Sequence, residues 1–254
     1  MNSEVQAVNT QRVASVKKIF EQADWYLDRW RCAIRLRAET VREFIGDRSF
    51  ESVLDIGCGD GSISTQLLKP GTKLTLNDLS STMLTLASSR VPSHLTDHVD
   101  CINEDFSCVT LKFQPFDLII CLGVLAHVES PKATIDKIHS LLMPCGTVIV
   151  ECTDARHPLT RLGAVYASIG GAFAPSTYTL NPVSPADVVQ MFESRGFTQT
   201  GAFRHVLPMF GMSRVLSQTT IYRIVRTLCG SASKNRNAWL GNHYIFQFQK
   251  RKDQ

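Results

Sequence analysis

The stretch VLDIGCGDGS, residues 53–62, sets glycines at 57, 59 and 61 directly after an apolar run and flanks them with Asp55 and Asp60. Glycines where a strand turns into a helix let backbone approach a ligand closely and aim N–H groups at it. Spacing decides between ligands. A phosphate-gripping loop ends in Gly-Lys-Ser/Thr, but Gly61 is followed by Ser62 and no lysine. A dinucleotide loop reads G-x-G-x-x-G, and here the third glycine comes one residue early. Two carboxylates beside a pyrophosphate would repel it. They suit a ligand with positive charge, such as an amino group or a sulfonium.

Three further features follow in chain order. Asp78 closes the next apolar segment, where a carboxylate can take both hydroxyls of a ribose. Asp105 and Phe106 close the one after, where an acid can accept from an adenine amino group while an aromatic ring packs on the base. The run CLGVLAHV, residues 121–128, follows a fourth segment and supplies a wall. Acceptors for an amino group, a ribose and an adenine together describe S-adenosylmethionine.

These residues need elements to hold them. Residues 10–45 carry helical spacing, with Trp30, Ile34, Leu36, Val41, Phe44 and Ile45 on the apolar side. Strands are expected at 52–56, 73–78, 98–105, 116–123 and 146–152, and helices at 62–68, 80–90 and 131–142. The strands are nearly continuous apolar runs, which argues for a parallel sheet covered on both faces. A helix at 184–196 and strands at 197–206 and 243–250 complete the chain, the last alternating as an antiparallel edge strand does.

The pieces VLDIGCGDG, LTLNDLSSTML, INEDF, FDLIICLGVLAHVESP and LLMPCGTVIVE, in this order, resemble the class I S-adenosylmethionine-dependent methyltransferases of small-molecule type. The resemblance implies an α/β, Rossmann-like, seven-stranded, mostly parallel sheet with the last strand antiparallel. It implies that Asp55, Gly57, Cys58 and Gly59 meet the methionine part of the cofactor, Asp78 the ribose, and Leu79 and Met83 the adenosine. Asp105 and Phe106 would then sit at the adenine, and Cys121 and Leu122 along the methionyl side. Tyr26 or Arg31 of the N-terminal helical segment would close over the cofactor carboxylate, as such segments do in relatives. Residues 1–48 read as a helical cap on a methyltransferase domain at 49–254, with substrate-lid insertions at about 153–183 and 208–240.

The expected acceptor is a small, largely apolar metabolite methylated on oxygen or nitrogen, and the resemblance implies a place in specialised-metabolite biosynthesis. A general base helps where the acceptor carries a proton, and His127 is the candidate, either in that role or as a structural residue. The first insertion carries Arg156, His157 and Arg161 near its start, suited to clamp an anion. Base-methylating relatives carry an Asn/Asp-Pro-Pro-Tyr/Phe motif where this chain has CLGV, so nucleic acid is disfavoured. From Ser194 to Lys252 there is no acid and there are ten Lys or Arg. The segment RVLSQTTIYRIVRTLC within it would pack on the pocket, or else meet a membrane surface or an acidic carrier protein. The membrane alternative fits a lipid, quinone or tetrapyrrole acceptor; the alternative from another class is a non-catalytic, cofactor-binding regulatory protein. Eight scattered cysteines without a C-x-x-C pair read as reduced core residues of a cytoplasmic protein. The histidines of HLTDH, residues 94–98, read as surface loop, and no metal site is expected.

Overall fold

The computed structural model describes residues 13–14, 17, 20–111, 115–154, 156–162, 183–206 and 215–252. Helix α1 spans Ala23–Ile45. The sheet begins with β1 (Ser52–Ile56), β2 (Lys73–Asn77), β3 (Val99–Ile102) and β4 (Phe116–Cys121). It continues with β5 (Leu142–Thr153), β6 (Phe197–His205) and β7 (His243–Lys250). Helices α2 (Ser81–Ser89), α3 (Pro131–Leu141), α4 (Pro185–Glu193) and α5 (Gln218–Cys229) complete the described elements. A serine caps each of these four: Ser80, Ser130, Ser184 and Ser217 accept from the backbone N–H three residues on.

The strand order is β3-β2-β1-β4-β5-β7-β6. Pairings from β3 through β5 are parallel, and β7 runs antiparallel to both its neighbours. The seven-stranded sheet with an inverted last strand is therefore as expected. The position of β7 is not: it lies between β5 and β6, and β6 forms the edge. Phe246 and Phe248 carry β7 into the core, where Phe248 stacks on Phe192 at 4.3 Å. The alternation that suggested an edge reflects two differently covered faces.

Alternation along each strand feeds two cores. Leu54, Ile56, Ile119 and Cys121 enter one, and Val53, Leu118 and Ile120 the other. A third cluster joins Cys32, Ala33 and Leu36 of α1 to Phe203 and to Ile221, Val225 and Cys229 of α5. Helix α5 thus packs on α1 and β6, and Ile224 and Leu228 remain partly exposed. The helix expected at 62–68 is reduced to turns and a 3-10 segment, Thr65–Leu67. The Thr65 hydroxyl donates to the Gly61 carbonyl at 2.8 Å, and Gly61 itself is left-handed at φ +70, both of which weaken helix initiation.

Gly61 allows a stability prediction. A Cβ there would stand 2.8 Å from the Ala87 Cβ and 3.0 Å from its Cα. Gly61→Ala should cost about 2 kcal/mol or more in denaturant unfolding, from left-handed strain and overpacking together. A midpoint equal to wild type would show that the loop and α2 yield without cost. Of the eight cysteines, all unpaired, Cys101, Cys108 and Cys145 are exposed and the other five buried. Three sites are thus surface positions, where the sequence predicted core.

Candidate cofactor and acceptor site

The sheet order reverses between β1 and β4, where open α/β sheets form a crevice. Register brings the strand ends level there: Ile56 pairs with Asn77 and with Cys121, and Asn77 with Ile102. The residues that follow each strand therefore converge. They line a cavity of about 290 Å³, roofed by Tyr26, Leu27, Ile34 and Arg37 of α1.

Side-chain amides and backbone lock the loops around it. The N–H groups of Gly57 and Cys58 both donate to the Asn77 carbonyl, at 2.8 and 3.0 Å. Gly57 is left-handed, and a Cβ on it would strike Val124, so only glycine lets the two loops close. Asp78 accepts from Gly59 N at 2.9 Å and from Ser80 N at 2.9 Å, tying the glycine loop to the start of α2. Asn77 Nδ2 donates to the Glu104 carbonyl at 2.8 Å, and Asn103 Nδ2 to Asp78 and Leu79 carbonyls at 3.0 Å each. Lys137 Nζ donates to carbonyls of Phe106 and Val109 and sits 4.7 Å from the Phe106 ring centroid, which fixes that ring. Asp105 turns one carboxylate oxygen, Oδ1, to Ser107 N and Oγ, both at 2.7 Å.

The electrostatics single out one acid. Asp60 is paired with Arg90. Asp55 is 2 % exposed, and its Oδ2 has no hydrogen-bond partner. Burial pushes its pKa up to about 7; the charges of Asp78 and Asp60 add to this, and only the Ser64 hydroxyl works against it. Asp78 is raised too, because burial outweighs the N–H groups of Ser80, Gly59 and Leu79. A buried carboxyl with an unmatched oxygen is suited to a cation and poorly placed without one.

Most expected residues meet here. Tyr26, Asp55, Gly57, Cys58, Gly59, Asp78, Leu79, Asp105, Phe106, Leu122 and His127 all line the cavity. Met83 and Cys121 are fully buried and are not among its walls. Arg31 is exposed and paired with Asp28 at 3.0 Å, and it too is absent from the walls. Instead Arg37 reaches in, and the site of a Gly123 Cβ lies 3.0 Å from its guanidinium. Burial opposes the Arg37 charge, but Glu151 and Tyr26 outweigh that and raise its pKa. Arg37, Asn77, Asn103 and Lys137 were not identified from sequence. The INED motif held the signal for Asn103. For Arg37 the signal was its spacing of eleven residues from Tyr26, which repeats the same helix face.

His127 lies on the cavity wall after β4, with the Phe20 ring edge-on at 6.2 Å. Phe20 also meets Tyr26 edge-on at 4.8 Å. Of the first insertion, Arg156 N donates to Asp154 and His157 Nε2 contacts the Trp239 carbonyl at 3.1 Å. Arg156, His157 and Arg161 are not among the cavity walls, and residues 163–182 and 207–214 of the two insertions lie outside the described residues.

Residues 54–148 match the family described as "Methyltransferase domain". A ubiquinone biosynthesis O-methyltransferase of Coxiella burnetii is 29% identical over 174 residues, covering 65% of this chain and 73% of the relative. One from Nitrosomonas europaea is 26% identical, covering 65% and 72%. Among solved structures, an S-adenosylmethionine-dependent methyltransferase of Thermotoga maritima, described as a possible histamine N-methyltransferase, superposes with TM-score 0.63 at 16% identity. It covers 92% of this chain and 99% of that one. Magnesium protoporphyrin IX methyltransferase of Synechocystis, with bound S-adenosylhomocysteine, superposes at 0.61 and 18% identity, covering 94% and 99%. The order of sheet strands, the glycine loop at the switch point and this domain match agree: residues 54–148 are a methyltransferase domain, and the chain has the fold of the class I S-adenosylmethionine-dependent methyltransferases.

Proposed function

We propose that the chain transfers the methyl group of S-adenosylmethionine to an oxygen of a small, largely apolar, ring-bearing acceptor. The observation that carries the cofactor half is the buried, unmatched Asp55 oxygen beside the Gly57–Gly59 backbone. The cofactor, when bound, supplies a methyl group already activated on a sulfonium. Asp55 and the glycine loop would hold its amino end, Asp78 the ribose hydroxyls, and Asp105 with Phe106 the adenine. Arg37, in place of Arg31, would take the carboxylate together with Tyr26. Helix α1, as part of the cap at 1–48, excludes water, and the lid segments at about 153–183 and 208–240 would admit and shape the acceptor.

His127 would accept the hydroxyl proton as the oxygen attacks the methyl carbon. His127→Asn should then lower kcat about tenfold or more at neutral pH with cofactor affinity unchanged. An unchanged kcat would leave the histidine a purely structural wall. Asp78→Ala should weaken S-adenosylhomocysteine binding by about 1–3 kcal/mol, since a buried acceptor is lost. Calorimetry showing no change would remove Asp78 from the site.

Oxygen is favoured by the O-methyltransferase relatives at 26–29% identity. A second reading places a quinone or tetrapyrrole acceptor at a membrane surface. It rests on the exposed Trp239, Leu162 and Val215, each within three positions of an arginine in the sequence. Part of the expected basic surface is already engaged, however. Lys250 is buried on the His139 and Leu142 carbonyls at 2.9 Å, Arg195 pairs with Asp136, and Arg226 with Glu43. Among the described residues no helix is long and apolar enough to cross a membrane. Incubation with methyl-labelled S-adenosylmethionine and lysate of the source organism decides the class. Label in organic-soluble, low-mass material is expected; label in protein or nucleic acid would overturn the small-acceptor reading. Flotation with anionic vesicles separates the two small-acceptor readings.

A further inference from the structure

A second group of functional side chains lies away from the cofactor cavity walls. Glu151 near the end of β5, His205 at the end of β6 and His243 at the start of β7 each present one ligand atom, and these atoms all lie within 4.8 Å of one another. Strand pairing builds the group. Glu151 faces Ile245, and His243 stands two residues before it on the same face of β7. His243 also pairs directly with His205 across to β6.

The cluster is buried and incompletely satisfied. His205 is fully buried, and neither ring nitrogen has a hydrogen-bond partner. Glu151 is 3 % exposed, and its Oε1 is unpartnered, 3.9 Å from His243 Nδ1. Leaving several such groups unmatched in one place costs free energy at each of them. The rings are held in place: His205 lies between Phe203 and His243, at 5.5 Å from each centroid. Thr153 Oγ1 stands 3.2 Å from His243 Nδ1, and Arg37 donates to the other Glu151 oxygen, Oε2, at 2.7 Å. That arrangement leaves Oε1 for a second cation.

We propose that Glu151, His205 and His243 form a binding site for a divalent transition-metal ion of the zinc class. Two imidazoles and one carboxylate are the donor set such ions favour, whereas magnesium and calcium favour oxygen alone. A tetrahedral ion with bonds of about 2.0–2.1 Å holds its donors roughly 3.4 Å apart, so small side-chain rotations would close the site. Three protein donors leave a fourth position open. The ion would share Glu151 with Arg37 and so stand one residue from the cofactor cavity.

The test uses the full chain stripped with a chelator and titrated with zinc chloride alone in a calorimeter, with cobalt(II) as a spectroscopic stand-in. One equivalent is expected, with a cobalt spectrum of nitrogen and oxygen ligation and no thiolate charge-transfer band. His205→Gln and His243→Gln should each weaken binding at least tenfold while retaining S-adenosylhomocysteine binding. A triple Cys101→Ser, Cys108→Ser, Cys145→Ser variant should bind as wild type does. No binding, thiolate ligation, or equal binding by folded histidine variants would each overturn the proposal. Should the variants fail to fold, the wild-type cobalt spectrum alone decides it.

Discussion

Asp55→Ala should weaken S-adenosylhomocysteine binding about 10²-fold at pH 7.5 and remove most of its pH dependence. In the free protein burial holds the Asp55 pKa at about 7, against an ordinary 3.8. A cationic amino group at its unmatched oxygen favours the ionised form, so binding expels a proton wherever the free carboxyl carries one. Below about pH 7 affinity should rise roughly tenfold per pH unit, and calorimetry in buffers of different ionisation enthalpy should show close to one proton released. The sign for stability is opposite. The unfolded chain ionises Asp55 first, so through this group the cofactor-free protein loses stability as pH rises from about 4 to about 7. Asp55→Asn should flatten that slope. An affinity independent of pH between 5.5 and 7 would mean that Asp55 does not face the cofactor's charge.

Arg37→Ala should cost about 3–5 kcal/mol of folding stability. Its partner Glu151 is 3 % exposed, and the two meet at 2.7 Å between α1 and β5. Removing the guanidinium leaves a buried carboxylate without its cation, which is worse than having neither. A double variant, Arg37→Met with Glu151→Met, should recover a large part of the loss in denaturant unfolding. Cofactor affinity should stay reduced in that double variant, since Arg37 also lines the cavity. A single variant with wild-type stability would show that Glu151 is satisfied by another partner, such as His243 at 3.9 Å.

The parallel half of the sheet was legible because its strands are short apolar runs bounded by glycine, serine and acid. Helices α2, α3 and α4 were expected close to where they lie; α2 begins behind a serine cap and α3 with proline in its first turn. The site was legible where one motif follows one strand: Gly57, Asp78 and Asp105 each take their place from the strand before them. It was less so where helix phase decides. Arg31 and Arg37 lie on the same helix, and only the packing of α1 shows which side faces the cavity. Met83 was legible as apolar, beside the adenosine or in the core, because helical spacing does not reveal which apolar residue borders a cavity. The Glu151, His205 and His243 cluster was invisible, since no local spacing links three strands that pair out of chain order. Cys101, Cys108 and Cys145 were misplaced for a related reason: an apolar neighbourhood in sequence does not fix which way a strand or loop residue points.

The most direct test is a crystal structure of the full chain with S-adenosylhomocysteine. The account predicts the amino end against Asp55 and the Gly57–Gly59 backbone, the ribose on Asp78, and the adenine against Phe106 beside Asp105. A nucleoside bound elsewhere, or bound in the opposite sense with the ribose away from Asp78, would contradict it.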